Sequence, residues 1–177
     1  MFDKSLCLLE NSSMKIRLLL TGGTIDKAYD ELIGELGFDK THIDDMLTVS
    51  RHTLALKSSE VMQIDSNDMT DPDREIITNT CKAAPESHII ITHGTDTMPV
   101  TARFLSKANL GKVIVLTGAM VPFSLGVSSD AMFNLGSALS FVQVLEPGVY
   151  IAMNGHFFTA DNVQKDKTVG RFRKLDQ

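Results

Sequence analysis

Lys15-Ile16-Arg17-Leu18-Leu19-Leu20-Thr21-Gly22-Gly23-Thr24 runs from an apolar segment straight into glycines and small hydroxyl residues. A short apolar run bounded by turn residues reads as a buried strand, here residues 15–20. Residues 88–92 (His-Ile-Ile-Ile-Thr) and 112–117 (Lys-Val-Ile-Val-Leu-Thr) repeat the pattern, and each is followed by a glycine-bearing turn. Residues 148–153 are a further strand, and 52–56 a short one.

Helical segments separate these strands. Asp71-Pro72-Asp73-Arg74-Glu75 reads as a helix start: Asp71 as N-cap, proline at the first helical position and acids in the first turn. Residues 98–108 form a second helix, capped by Asp96 or Thr97, since Pro99 is tolerated only in a first turn. Residues 130–145 form a third. Residues 26–40 have weak periodicity, punctuated by Gly34 and Gly37, and read as a loop of the kind that serves as a lid. Buried strands alternating with helices imply an α/β fold with three layers: a doubly wound, mostly parallel sheet carrying helices on both faces.

The 177 residues fit one domain and suffice to bury a core without staples. A net charge of −5 leaves no electrostatic footprint for nucleic acid or an anionic membrane, so neither is expected as a partner. Cys7 and Cys81 form no CxxC pair, which argues against zinc and a disulfide framework. Cys81 reads as a small buried thiol, and the cytoplasm is the expected compartment. No run approaches the roughly 20 apolar residues of a bilayer span. Residues 16–20 are too short for a signal-peptide core and lead directly into the Thr21–Thr24 loop. Residues 1–13 lack periodicity and read as a disordered extension, with Met14 as an alternative start; residues 14–177 are the domain.

In an open α/β sheet, ligands bind beyond the carboxyl ends of the strands. There the chain places Thr21-Gly22-Gly23-Thr24, His93-Gly94-Thr95-Asp96-Thr97 and Gly118-Ala119-Met120, with Asp65-Ser66-Asn67-Asp68 ahead of the Asp71 helix. Glycines let backbone N–H groups approach a ligand or form an oxyanion hole. A threonine hydroxyl is a poor nucleophile without a base or cation beside it, and Lys165 with Asp96 is a candidate pair. Each feature also has a plain reading. Gly22-Gly23 makes a turn, His93 packs, Lys165 sits in a charged solvated stretch, and Asp68 caps a turn. From pattern alone the chain is an α/β domain with a polar site at its strand ends, of hydrolytic character.

The combination is more specific. Thr21-Gly22-Gly23-Thr24-Ile25 followed by His93-Gly94-Thr95-Asp96-Thr97-Met98 resembles the paired signatures of the bacterial-type L-asparaginase family. Asp65-Ser66-Asn67-Asp68-Met69, Thr117-Gly118-Ala119-Met120-Val121-Pro122 and Ser129-Asp130 with Phe133-Asn134-Leu135 extend the likeness over residues 14–170. The resemblance implies a side-chain amidohydrolase without metal or organic cofactor. Thr24 would be the nucleophile that forms an acyl-enzyme. Thr95, Asp96 and Lys165 would be the cluster that activates it, Lys165 through its place in Asn162-Val163-Gln164-Lys165. Ser66 and Asn67 would hold the substrate's α-carboxylate, Asp96 its α-ammonium, and Gly23 and Gly94 would touch it through their backbones.

Two departures from the family pattern stand out. The family's catalytic tyrosine lies on a mobile loop beyond the nucleophile; Tyr29 occupies that region but lies closer to Thr24, leaving a catalytic and a packing role open. The family's second, carboxy-terminal domain, which completes a neighbouring subunit's pocket, has no counterpart before Gln177. A wall from residues 26–40 or from a partner copy is the expected replacement. A small-molecule amide substrate and a homo-oligomer are the partners the resemblance implies. A binding module that retains its ligand without turnover is the alternative. An ammonia-supplying subunit, like the related part of a tRNA-dependent amidotransferase, ranks third.

Overall fold

Strands covered on both faces are apolar at most positions, and the alternation of their side chains then feeds two separate cores. The structure, a computed structural model, describes residues 14–175. In chain order it contains β1 (Lys15–Gly22), β2 (Lys27–Asp30), β3 (Glu35–Phe38), α1 (Ile43–Ser50), β4 (Ala55–Ile64), α2 (Asp71–Ala83), β5 (His88–Thr92) and α3 (Met98–Lys107). There follow β6 (Val113–Thr117), α4 (Ala131–Phe141), β7 (Gly148–Met153), β8 (His156–Thr159), β9 (Gln164–Asp166) and β10 (Arg171–Arg173).

The main sheet has the order β4-β1-β5-β6-β7-β8. All neighbours run parallel except β8, which closes one edge antiparallel to β7. On one face Leu19, Ile89, Ile91, Ile114, Leu116 and Ile151 pack against Ile77 and Cys81 of α2 and Ala102 and Leu105 of α3. On the other face Leu18, Leu20, Ile90, Val113 and Val115 pack against Ile43 and Met46 of α1 and Leu135 and Ala138 of α4. The expected three-layer, mostly parallel α/β fold is therefore present. Chain order reverses at β1, which has β4 on one side and β5 on the other, so the switch point of the sheet opens beyond the ends of β1 and β5.

Several local expectations are corrected. The strand expected at 52–56 is instead β4, Ala55–Ile64. It is an edge strand whose exposed Lys57, Ser58 and Glu60 interrupt any apolar run. The expected loop at 26–40 holds the β2–β3 hairpin, in which Tyr29 pairs with Leu36. Helix α1 carries only two buried apolar side chains, Ile43 and Met46, too few for a periodic signal. The N-cap of α2 is Thr70 rather than Asp71, because Asp73 Oδ2 accepts both the Thr70 N–H (2.8 Å) and the Thr70 hydroxyl (2.6 Å). Of the two candidate caps of α3, Thr97 holds the position. The segment expected at 130–145 ends as a helix at Phe141, with Asp130 at its N-cap. The extension expected at 1–13, including Cys7, lies outside the described residues.

Ile90 lies at the centre of the sheet with no exposed surface. Ile90→Ala is expected to cost about 2–5 kcal/mol through lost burial and the cavity it leaves. Urea unfolding checks this, and a loss below 1 kcal/mol would mean that the sheet core collapses around the gap.

Candidate active site

The site is built where two backbones touch. Gly23 follows β1 with φ 82° and ψ 178°, a conformation that side-chain-bearing residues rarely adopt. A Cβ on Gly23 would lie 2.3 Å from Gly94 N, and one on Gly94 would lie 2.6 Å from both Cβ and Oγ of Ser66. The loops after β1, β5 and β4 are thus in direct contact, which only glycine permits. An irregularity in the β1–β4 ladder between Leu20 and Gly22 places Ile64 O to accept the Gly23 N–H at 3.1 Å.

Thr24 opens a short 3₁₀ turn (Thr24–Asp26) immediately after this contact and is half-buried. Thr95, 4% exposed, follows directly on Gly94. Lys165 enters from β9: its ammonium donates to Thr95 Oγ1 at 2.7 Å and to Asp96 Oδ1 at 3.1 Å. Its side chain is 9% exposed, so the cluster is largely screened from water. Burial alone would raise the Asp96 carboxyl, but the ammonium groups of Lys165 and Lys167 outweigh it and hold the pKa below the ordinary range. The residues 161–167 are therefore not simply a solvated face: Val163 is buried and the Lys165 side chain is 9% exposed, while Asp161 and Lys167 are exposed.

Ser66 is buried, and its carbonyl accepts the Thr97 hydroxyl at 2.7 Å. Asn67 is exposed and donates from both its N–H (3.0 Å) and Nδ2 (3.2 Å) to Asp65 Oδ1. Asp65 also accepts from Lys27, tying the root of the β2–β3 hairpin to the same loop. The second root is fixed by buried Asp26, which accepts from Thr41 Oγ1 (2.9 Å) and the His42 N–H (3.1 Å). Burial raises the Asp26 pKa in spite of these bonds. Tyr29 lies on that hairpin, paired with Leu36. It is 60% exposed and lines a cavity of about 360 Å³ with Ala28, Leu32 and Phe38, a lining that includes neither Thr95 nor Lys165.

His93 has no exposed surface. Its Nδ1 lies 2.7 Å from Gly94 O, which can only accept, so Nδ1 carries the proton; Nε2 faces Met69 Sδ at 3.1 Å. Burial lowers its pKa from 6.5 to about 4, helped by the Arg74 charge and opposed by the Gly94 bond. His93 is a neutral packing group that shapes the loop bearing Thr95.

Sequence reasoning missed the residues that hold Lys165 in place. Asn134 Nδ2 donates to Gly118 O (3.0 Å), while its Oδ1 accepts the Asn154 N–H (3.1 Å). Asn154 Oδ1 in turn accepts the Phe172 N–H (2.9 Å), and Phe172 is the ladder partner of Lys165. The available signal was Asn154-Gly155, a dipeptide typical of two-residue hairpin turns, with φ values of 56° and 78° between β7 and β8. Asp130 fixes the loop after β6, accepting from Met120 N (2.9 Å) and Val121 N (3.0 Å). Among the described residues no cluster of three or more His, Cys, Asp or Glu side chains is arranged to hold a metal ion, and no helix is long and apolar enough to cross a membrane.

Residues 15–173 match the family profile described as asparaginase, N-terminal. The L-asparaginase of Thermococcus kodakarensis is 32% identical over 162 residues, covering 89% of this chain and 49% of that protein. A solved structure of the thermostable L-asparaginase from the same organism superimposes with a TM-score of 0.82 over 93% of this chain and 52% of that one, at 30% identity. A probable periplasmic L-asparaginase of Haemophilus influenzae is 32% identical over 86% of this chain and 46% of its own length. The structure of a probable cytoplasmic L-asparaginase from Campylobacter jejuni gives a TM-score of 0.74 at 33% identity, over 92% of this chain and 53% of that one. The chain spans about half the length of the relatives it matches.

Because the folded state resists protonating His93, the unfolded chain takes up that proton first. Stability is therefore expected to fall as pH drops from 6.5 toward 4, by at most about 3 kcal/mol from this residue. Urea unfolding of the native protein and His93→Gln across that range isolates the contribution. Equal slopes in the two proteins would remove His93 from this role.

Proposed function

The chain belongs to the asparaginase family, and from that premise we propose that it is an amidohydrolase converting an asparagine-like side-chain carboxamide to carboxylate and ammonia. The observation that carries this reading is the Lys165 ammonium between Thr95 Oγ1 and Asp96 Oδ1, on a loop whose Gly94 abuts the Gly23 that precedes Thr24. In the proposed reaction the Thr24 hydroxyl oxygen attacks the amide carbon. The threonine proton passes to the leaving nitrogen, which departs as ammonia and leaves an ester on Thr24. Water then attacks the ester, its proton returns to the threonine oxygen, and the carboxylate is released. Thr95 and Lys165 serve as the proton relay of both steps, and Asp96 holds Lys165 in position. Ser66, Asn67, Gly23 and Gly94 line the substrate's place, with Ser66 and Asn67 directed to its carboxylate.

The working unit in this reading is the α/β domain from residue 14 onward, acting on a small-molecule amide as a homo-oligomer. Cytoplasmic residence accords with the buried, unpaired thiol of Cys81. Retention of a ligand without turnover is the second reading. It is favoured by Tyr29, which stands 60% exposed on the hairpin.

Ammonia release from L-asparagine, D-asparagine and L-glutamine, measured for wild type and Thr24→Ala, decides between the two. Turnover in wild type that vanishes in a folded Thr24→Ala protein is the expected result. Ligand-stabilised melting with no ammonia from any amide would select the binding module. Lys165→Met is expected to lower the rate by a factor on the order of 10²–10⁴. A near-normal rate in that variant would reduce Lys165 to a structural charge.

A further inference from the structure

Asp96 Oδ1 is shared. Lys165 Nζ lies 3.1 Å from it and Lys167 Nζ lies 3.4 Å from it. Two ammonium groups on one carboxylate leave a formal charge of +1 beside Thr95. The acids that flank these lysines in sequence face elsewhere. Asp166 accepts from the Thr168 N–H (3.0 Å), the Thr168 hydroxyl (2.6 Å) and Arg173 Nε (3.2 Å). Asp161 is engaged by the Thr159 side chain. On the loop after β4, Asp65 is paired with Lys27. Asp96 is thus the carboxylate that both lysines draw on.

We propose that Lys167 makes this site select amides whose skeleton carries no free ammonium group, such as the monoamide of a simple dicarboxylic acid, over L-asparagine. The inference rests on the amidohydrolase reading and names its substrate class. An ammonium brought to Asp96 would be the third cation around one carboxylate, whereas a ligand carboxylate meets a net positive field. Lys165 is committed to the Thr95 hydroxyl as well, so the discriminating charge is that of Lys167. Its side chain is 72% exposed, and solvent screens much of its field. That exposure sets the discrimination at about tenfold rather than several thousandfold. It also means that replacing Lys167 disturbs no packing.

The test compares binding of succinate and L-aspartate, which differ only by the ammonium group, to wild type, Lys167→Ala and Lys167→Arg by isothermal titration calorimetry at low salt. Succinate is expected to bind wild type about tenfold more tightly than L-aspartate. Lys167→Arg should keep that preference and Lys167→Ala should lose it. Where ammonia is released, the ratio of kcat/KM for succinamate over L-asparagine should move the same way. Equal or tighter binding of L-aspartate to wild type overturns the proposal. So does a preference that survives in Lys167→Ala, or the absence of binding of either acid. Binding with the expected preference but no ammonia from either amide would instead overturn the amidohydrolase reading and leave the ligand selection standing.

Discussion

Because helices cover both faces of the central strands, polar chemistry in this sheet has to sit at the strand ends. Most side chains along β1, β5 and β6 enter one of two apolar cores, and a polar group there is buried at a cost unless it finds a partner, as Arg17 of β1 does in Glu86 at 2.9 Å. The threonines that close these strands meet that requirement. Thr21 Oγ1 donates to Thr92 O at 2.6 Å, and Thr117 Oγ1 donates to Ala152 O at 2.9 Å. Beyond them the chain is free to carry hydroxyls, carboxylates and the touching glycines. The switch in strand order at β1 brings the β1 and β5 ends together, so the Thr24 and Thr95 loops share one crevice.

The crevice is held by two kinds of constraint. On the β1–β5 side it is steric: Gly23, Gly94 and Ser66 leave no room for an extra carbon atom. On the β7–β10 side it is a line of amide hydrogen bonds through Asn134 and Asn154 to the backbone of Phe172. The first fixes the two threonine-bearing loops against each other. The second sets the position of the small β9–β10 ribbon and, with it, the ammonium of Lys165. The hairpin beyond Thr24 has anchored roots at Asp26 and Lys27 and an outward tip, where Leu32 is 91% exposed.

Legibility in the sequence followed burial. Strands covered on both sides carry largely apolar runs, β-branched in β5 and β6 and leucine-rich in β1, so β1, β5, β6 and β7 were readable, as were helices with a proline or acidic start. Edge and surface elements were not. Strand β4 alternates toward solvent, the β2–β3 hairpin has no core face of its own, and α1 contributes only two side chains to the core. The candidate site divides in the same way. Thr24, Thr95 and Asp96 stand in loops next to strong strands and were visible as local motifs. Lys165 was weakly marked, since nothing nearby in sequence distinguishes it from the charges around it. Lys167 carried no site signal, and the two asparagines were marked only indirectly, Asn154 by its turn dipeptide and Asn134 by the motif around it.

The sequence by itself determined the layered α/β class, the strand-end placement of the glycine and threonine motifs, and the family they resemble. These follow from periodicity and turn chemistry, which act over a few residues. Tertiary structure alone decided which of the lysines in residues 161–174 faces inward and that Asp96 serves two of them. It also decided that His93 is a neutral packing group and that Tyr29 is exposed on a hairpin. Each of those facts joins segments tens of residues apart or depends on how much water reaches a side chain. Local patterning encodes neither the pairing of distant loops nor the dielectric they create.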